Sequence, residues 1–485
     1  MKRTVIILLL LPLFSVLNAQ TGSFREQYER FQQEAMNTYS NFRNECNRKY
    51  VEFLLQAWEE FHSLPEIPQP VEEDVPPVKY EEDSTPIKDN EVIHEEVVIK
   101  QEKEQSQPEP VEPIKEIPVV KPDYFSFTFY NTPMQIRAGQ KQRFTLSSLS
   151  ERELSNTWEK LCSSDYDNIV IDCLQLREKY HLCDWAYLQM IQSFAKSFLK
   201  GKNESTLLIA YIYSQCGYKM RLGLDDKDLY MLFGSKFEIY DRPYYVIDGS
   251  NYYPLEGSPK EIRIANYSFP KEVDLSLAVS QEPTLSVTQS PLRTLKSRDY
   301  PVSATCSVNK NLLDFFTDYP TSQVNGDPMT RWALYAQTPL DKLSKEQLYP
   351  VLKKAIADKT QTEAVNILLN FVQTALVYEY DDKVWGGDRA FFAEESLYYP
   401  YCDCEDRSIL FSHLVRELVG LDVLLLYYPN HLCTAVKFTV PMQGDYLNVS
   451  SGKYYICDPT YIGAPIGVVM PDYKNTKPKA ILLER

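Results

Sequence analysis

Tyr401-Cys402-Asp403-Cys404-Glu405-Asp406-Arg407-Ser408-Ile409-Leu410 is the stretch where a polar, aromatic loop turns into an apolar-periodic helix. Ile409, Leu410, Leu414 and Leu418 recur at helical spacing, which predicts a buried helix from Cys404 to Val419, stopped by Gly420. Cys404 therefore sits at the first turn, where unpaired backbone N–H groups and the positive end of the helix favour a thiolate and could hold an oxyanion. Cys402 lies in the loop and lacks that placement. A cysteine at a helix start is also a common buried small hydrophobe, so the reading rests on what surrounds it.

Downstream of this helix, strands are predicted at Val423–Tyr428, Leu432–Val440 and Lys453–Cys457. A base for Cys404 is found by elimination among five histidines. His62 ends an N-terminal helix, His94 lies in a Pro-rich stretch and His181 belongs to an earlier domain. His413 is nine positions along the same helix, about 180° round from Cys404. His431 remains, opening a strand after the Pro429-Asn430 turn. Asp458 ends the next strand, and adjacent antiparallel strands can set His431 and Asp458 side by side, the carboxylate fixing the imidazole tautomer.

Helix–Cys, strand–His and strand–Asp in that chain order resemble the transglutaminase-like, papain-related cysteine enzyme superfamily. Asp403-Cys404-Glu405-Asp406-Arg407-Ser408 looks like the nucleophile motif of its bacterial members, Tyr428-Pro429-Asn430-His431 their Pro-Gly-His turn, and Asp458-Pro459-Thr460 with Ile466-Gly467 their last motif. The likeness covers roughly the last 130 residues. Cys402 and Asn430 replace glycines usual in the pattern. The resemblance implies an α+β fold with the nucleophile helix packed on an antiparallel sheet. It also implies a catalytic set of Cys404, His431 and Asp458, and acyl transfer from an amide through a thioester, with no cofactor. Peptidase or amidase hydrolysis of a protein or peptide is the default, because water needs no second acceptor site. Two other readings are a non-catalytic binding protein carrying an interaction helix, and a zinc-stabilised domain drawing on Cys402, Cys404, His431, Cys433, Cys457 and Asp458. Cys-x-Cys is a poor zinc template.

Upstream, the order recurs. Phe125–Phe129 alternates as a strand; Trp185–Leu199 and Ser205–Cys216 read as helices, the second ending at Gly217; strands follow at Leu229–Phe233, Tyr244–Asp248 and Asn251–Leu255. Thr362–Val377 is the matching helix of the C-terminal half. Residues 122–300 are thus expected to be a degenerate domain of similar fold, lacking the nucleophile, ahead of a catalytic domain at 301–485.

Lys2, Arg3 and the apolar run Val5–Leu17 before Ala19 read as a signal peptide over residues 1–19, too short to span a bilayer, so the mature chain is expected to be periplasmic or extracellular without a membrane span. Phe24, Tyr28, Phe31, Ala35, Tyr39, Phe42, Cys46, Tyr50, Phe53, Ala57 and Phe61 repeat with an 11-residue period, which places one straight apolar stripe on a helix within residues 20–63. Ser23 and Glu26 cap its start. The stripe predicts either packing on the chain's own domains, self-association or a protein partner for helix 23–62. Residues 64–121 hold ten prolines, no glycine, 16 acidic and 6 basic residues, which reads as a disordered, extended spacer. That segment carries most of the net charge of −16, and no basic patch argues for nucleic acid. The ten cysteines are compatible with disulfides among Cys46, Cys162, Cys173, Cys183, Cys216 and Cys306 in an exported chain.

Overall fold

Aromatic alternation at 124–129 and a positive-φ pair at Tyr130 and Asn131 make a tight hairpin, Tyr124–Phe129 against Thr132–Arg137, in a computed structural model of the chain. The structure describes residues 43–71, 75–81, 88–97, 108–110, 116, 118, 121–385 and 388–483; the expected leader and the first half of the striped helix lie outside them. After the hairpin come helices Glu151–Leu161, Asp167–Lys179, Asp184–Phe198 and Lys202–Gln215, and then an antiparallel sheet. The C-terminal half repeats this plan. Hairpin Arg293–Lys296 with Ser303–Cys306 leads into helices including Lys342–Ile356, Gln361–Ala375 and Cys404–Leu418, and a second sheet closes the chain. Because that hairpin straddles residue 300, the expected boundary there moves upstream of Arg293.

The two sheets share one topology. In the first, Met220–Leu224, Leu229–Ser235, Tyr245–Ile247, Ser250–Pro254 and Glu261–Ala265, counted in chain order, lie side by side as 5-1-2-4-3. In the second, Asp422–Tyr428, His431–Lys437, Asp445–Val449, Gly452–Cys457 and Lys479–Leu482 lie in the same order. Each sheet therefore has a central hairpin, with the helix that precedes it, Lys202–Gln215 or Cys404–Leu418, packed against it. The architecture is mixed α+β with antiparallel sheets. The halves are not separate beads. Cys404, Ile409, Leu425 and Ile481 share one apolar core with Trp158, Phe194 and Leu277 of the first half, and Phe316 stacks on Phe392 at 4.1 Å within it.

Three expectations change. The described part of the striped helix covers only 43–54; residues 59–62 leave it as a strand, Glu59–His62, paired antiparallel with Glu261–Ala265. Backbone groups at the open edge of that sheet supply a ladder that outcompetes continued helix. The apolar face of 43–54 is covered by the chain itself: Tyr50 packs on Trp158 at 4.6 Å and on Phe269 at 4.9 Å. Arg43 pairs with Asp167 at 2.7 Å, while Asn47 and Arg43 both bond the buried Gln215. The buried face of this part is thus taken by the chain itself, and Asn44, Glu45, Arg48, Lys49 and Glu52 form its exposed polar face.

Second, the described parts of 64–121 are not a free spacer. Leu64 bridges to Tyr244, Ile67 to Tyr240 and Lys79 to Ile462. Asn90–Glu91 and Glu95–Val97 then add parallel strands to the two edges of the second sheet. A Pro- and Glu-rich chain cannot build its own core, but it can satisfy sheet edges that already exist. Third, all ten cysteines are free thiols. Among the described residues, no helix is long and apolar enough to cross a membrane.

Candidate active site

Helix Cys404–Leu418 is buried from Cys404 through Val415, so it runs through the core with its polar first turn inside the protein. Its start is held by Asp406, whose carboxylate accepts from the N–H groups of Asp403 at 3.3 Å and Phe391 at 2.8 Å. The helix is clamped to the neighbouring strand at one residue, Leu432. The Leu432 N–H donates to Cys404 Sγ at 3.5 Å, and its carbonyl accepts from Ser408 Oγ, one turn on, at 3.0 Å. The clamp holds the sulfur at the main chain of Leu432, the residue that follows His431.

His431 follows a two-residue turn in which Asn430 has φ +60°, a left-handed conformation that Asn tolerates and Gly adopts freely. That accounts for Asn standing where the family resemblance has Gly. Strands His431–Lys437 and Gly452–Cys457 pair with Thr434 opposite Cys457, which delivers Asp458 to the imidazole as expected. His431 Nε2 and Asp458 Oδ2 are 2.9 Å apart. The other oxygen, Oδ1, accepts from Thr460 N at 2.8 Å and Tyr461 N at 3.2 Å, so the carboxylate cannot rotate away. His431 Nδ1 is buried and has no hydrogen-bond partner among the described residues, leaving one ring nitrogen uncommitted. The Tyr473 ring lies parallel over the imidazole, 5.2 Å away with 7° between planes. Cys404, His431 and Asp458 are 8%, 1% and 3% exposed.

A residue that sequence reading passed over holds the Asp458 loop. Gln373, buried on helix Gln361–Ala375, points its Nε2 at the carbonyls of Asp458, Tyr461 and Ala464, at 3.0, 2.9 and 3.1 Å. Its Oε1 accepts from Gly463 N at 3.1 Å. Arg407, also buried, donates to the main-chain oxygens of Gln373 and Leu376 at 3.2 and 3.0 Å and faces the Tyr378 ring. A glutamine inside an apolar helix with Leu368, Leu369 and Val372 was the one available signal.

Electrostatics depart from expectation. Burial first, and then the Glu405 and Asp403 carboxylates, push the Cys404 thiol well above a free cysteine's value; the Leu432 N–H acts the other way. The neutral thiol donates to Glu405 Oε2 at 3.1 Å. A helix start therefore does not suffice to populate a thiolate here. Asp388, raised by burial and by the neighbouring Glu405, shares a hydrogen bond with that residue, and burial raises Asp403 and Asp406 as well.

Among the described residues, donor atoms within 4.8 Å of one another occur at His431, Cys433 and Asp458, at Asp403, Cys404 and Glu405, and at Asp381, Asp388 and Glu405. The first group is what remains of the zinc reading: Cys402 and Cys457 are not in it. Cys402 instead sits in a short strand against Val377–Tyr378, and Cys457 points its sulfur at the Tyr455 carbonyl. His413 faces away from Cys404, toward the Tyr335 carbonyl and Glu417.

In the first half, the corresponding helix begins with Lys202, which pairs with Asp228 at 2.7 Å and lies over Tyr230, itself bonded to Asp225 at 2.8 Å. No thiol or imidazole stands there. Compared with family models, curated proteins and solved structures, the chain shows no match.

Proposed function

We propose that this protein is a transglutaminase-like cysteine enzyme that hydrolyses an amide of a protein or peptide through a thioester. The half that begins with the Arg293–Lys296 hairpin is its catalytic domain, and the preceding half is a related domain without the nucleophile. The supporting observation is the doubly anchored Asp458 carboxylate on His431 Nε2, with Nδ1 left without a partner beside a strand whose next N–H touches Cys404 Sγ.

Chemistry then proceeds in balanced steps. His431 Nδ1 takes the Cys404 proton, and Asp458 stabilises the imidazolium. Pairing with that cation overcomes the burial that keeps the lone thiol protonated. The sulfur attacks the amide carbon, and N–H groups at the helix start face the developing oxyanion. His431 returns its proton to the departing amine as the C–N bond breaks, leaving a thioester. Water then adds, deprotonated by His431, and the acid leaves as Cys404 regains its proton.

Alkylation of the full chain with iodoacetamide across pH tests this. One cysteine should react below the pH of a free thiol, its labelling lost in Cys404→Ser and displaced to higher pH in His431→Ala. The same pH dependence of Cys404 labelling in the unmodified chain and in His431→Ala would refute the reading. Stoichiometric zinc, lost on His431→Ala, would support a metal site at His431, Cys433 and Asp458 instead.

A further inference from the structure

The described residues between the two sheets, 64–71 and 75–81, run past all three sides of the proposed site. Gln69 Nε2 donates to the Asp388 carbonyl at 2.8 Å, and the Asp388 side chain bonds Glu405, the acceptor of the Cys404 thiol. The Val75 carbonyl accepts from Tyr378 Oη at 2.9 Å; Tyr378 is the ring beneath Arg407. Ile462, four residues beyond Asp458, bonds the strap on both sides of Lys79. Its N–H donates to the Val78 carbonyl at 2.8 Å and its carbonyl accepts from Tyr80 N at 2.9 Å. Tyr80 packs edge-on against Tyr461 at 5.5 Å.

Apart from the Gln69 amide and the Tyr80 ring, these contacts are of one kind. Asp241 N–H to the Ile67 carbonyl, Tyr378 to Val75 and the Ile462 pair all engage the strap's main chain. Pro65, Pro68, Pro70, Pro76 and Pro77 keep the segment extended, with few N–H groups of its own to satisfy. A surface that reads mainly backbone is the recognition mode of strand addition, largely tolerant of sequence.

We infer that residues 64–71 and 75–81 occupy the groove in which an extended polypeptide substrate is bound, so that the strap must leave before Cys404 can act. This rests on the proposed function and deepens it. It names the substrate class as extended polypeptide held by its main chain at Tyr378 and Ile462. It also accounts for a catalytic set that is closed to solvent as it stands.

The test uses the full chain with Val78→Asp and Tyr80→Ala together, and follows iodoacetamide labelling of each cysteine by mass spectrometry. Cys404 labelling should accelerate at least tenfold (an order-of-magnitude expectation for opening a buried site), while buried Cys173 and Cys216 stay protected. A synthetic peptide of residues 64–81 added in trans should slow it again, and a scrambled peptide should not. Unchanged Cys404 labelling, equal acceleration at all three cysteines, or no protection by the peptide would overturn the inference. The strap effect is one of access and should persist in His431→Ala. A result in which opening accelerates labelling but His431 has no influence would sink the catalytic reading while leaving the strap in place.

Discussion

Replacing Gln373 with Leu would keep the volume of a buried side chain and remove every polar contact it makes with the Asp458 loop. Three carbonyls, those of Asp458, Tyr461 and Ala464, and the Gly463 N–H lose their partner. A hydrogen bond contributes about 1 kcal/mol net, and a buried group left without one costs about 1–3 kcal/mol. Two of the four groups recover water once the loop relaxes, which sets the expected destabilisation at about 4 kcal/mol. Relaxation moves Asp458, whose backbone carbonyl is one of the three, and with it the 2.9 Å contact to His431. Urea unfolding read by tryptophan fluorescence gives the first number. The rate of Cys404 alkylation at neutral pH gives the second, and it should fall along with stability. Gln373→Glu should do no better than Leu, since a carboxylate cannot donate to three carbonyls. A loss below about 1 kcal/mol with unchanged alkylation would show that the Thr460 and Tyr461 N–H bonds to Asp458 hold the loop alone, and that Gln373 is incidental.

Asp458→Asn removes the charge that stabilises the imidazolium; a charge-assisted hydrogen bond contributes about 1.5–3 kcal/mol, so Cys404 alkylation at neutral pH should slow roughly 10- to 100-fold with little change in fold by circular dichroism. Glu395, buried and paired with Arg389, is pushed up to about 7 chiefly by burial. Its folded value lies above its unfolded one, so its contribution to stability is full below about pH 4.5 and is lost as pH rises through 7. Denaturation midpoints should therefore fall between those pH values, and Glu395→Gln should flatten that slope; the same fall in the variant would refute the assignment. Phe392→Ala breaks the stack with Phe316 inside the core that both halves share and should cost about 3–5 kcal/mol. Because both halves share one core, calorimetry should show a single transition moving down, and a split into two would contradict the shared core.

Much of the site was legible because its parts are local. Cys404 is marked by the switch from polar loop to apolar period, His431 by its turn, and Asp458 by its place at a strand end. The antiparallel order of neighbouring strands then brings the last two together. Asn430 illustrates the same logic, since its positive φ is a property of the turn itself. The repeat of helix and sheet was visible for the same reason.

What the chain determined by itself is the set of elements and the residue type at each end, because periodicities of 3.6 and 2 are written in consecutive side chains. Tertiary structure alone decided the rest. Gln373 acts on backbone 85 to 91 residues away, and no local pattern encodes such a contact. The stripe on 43–54 looked available until Trp158, Phe269 and Gln215 covered it. The Pro- and Glu-rich segment has too little apolar surface to fold alone, yet its described parts pair with backbone that other parts of the chain offer. The charge state of Cys404 was decided in the same way. The helix start argued for a thiolate, and burial beside Glu405 and Asp403 reversed it, because desolvation depends on everything packed around a group and not on its neighbours in sequence.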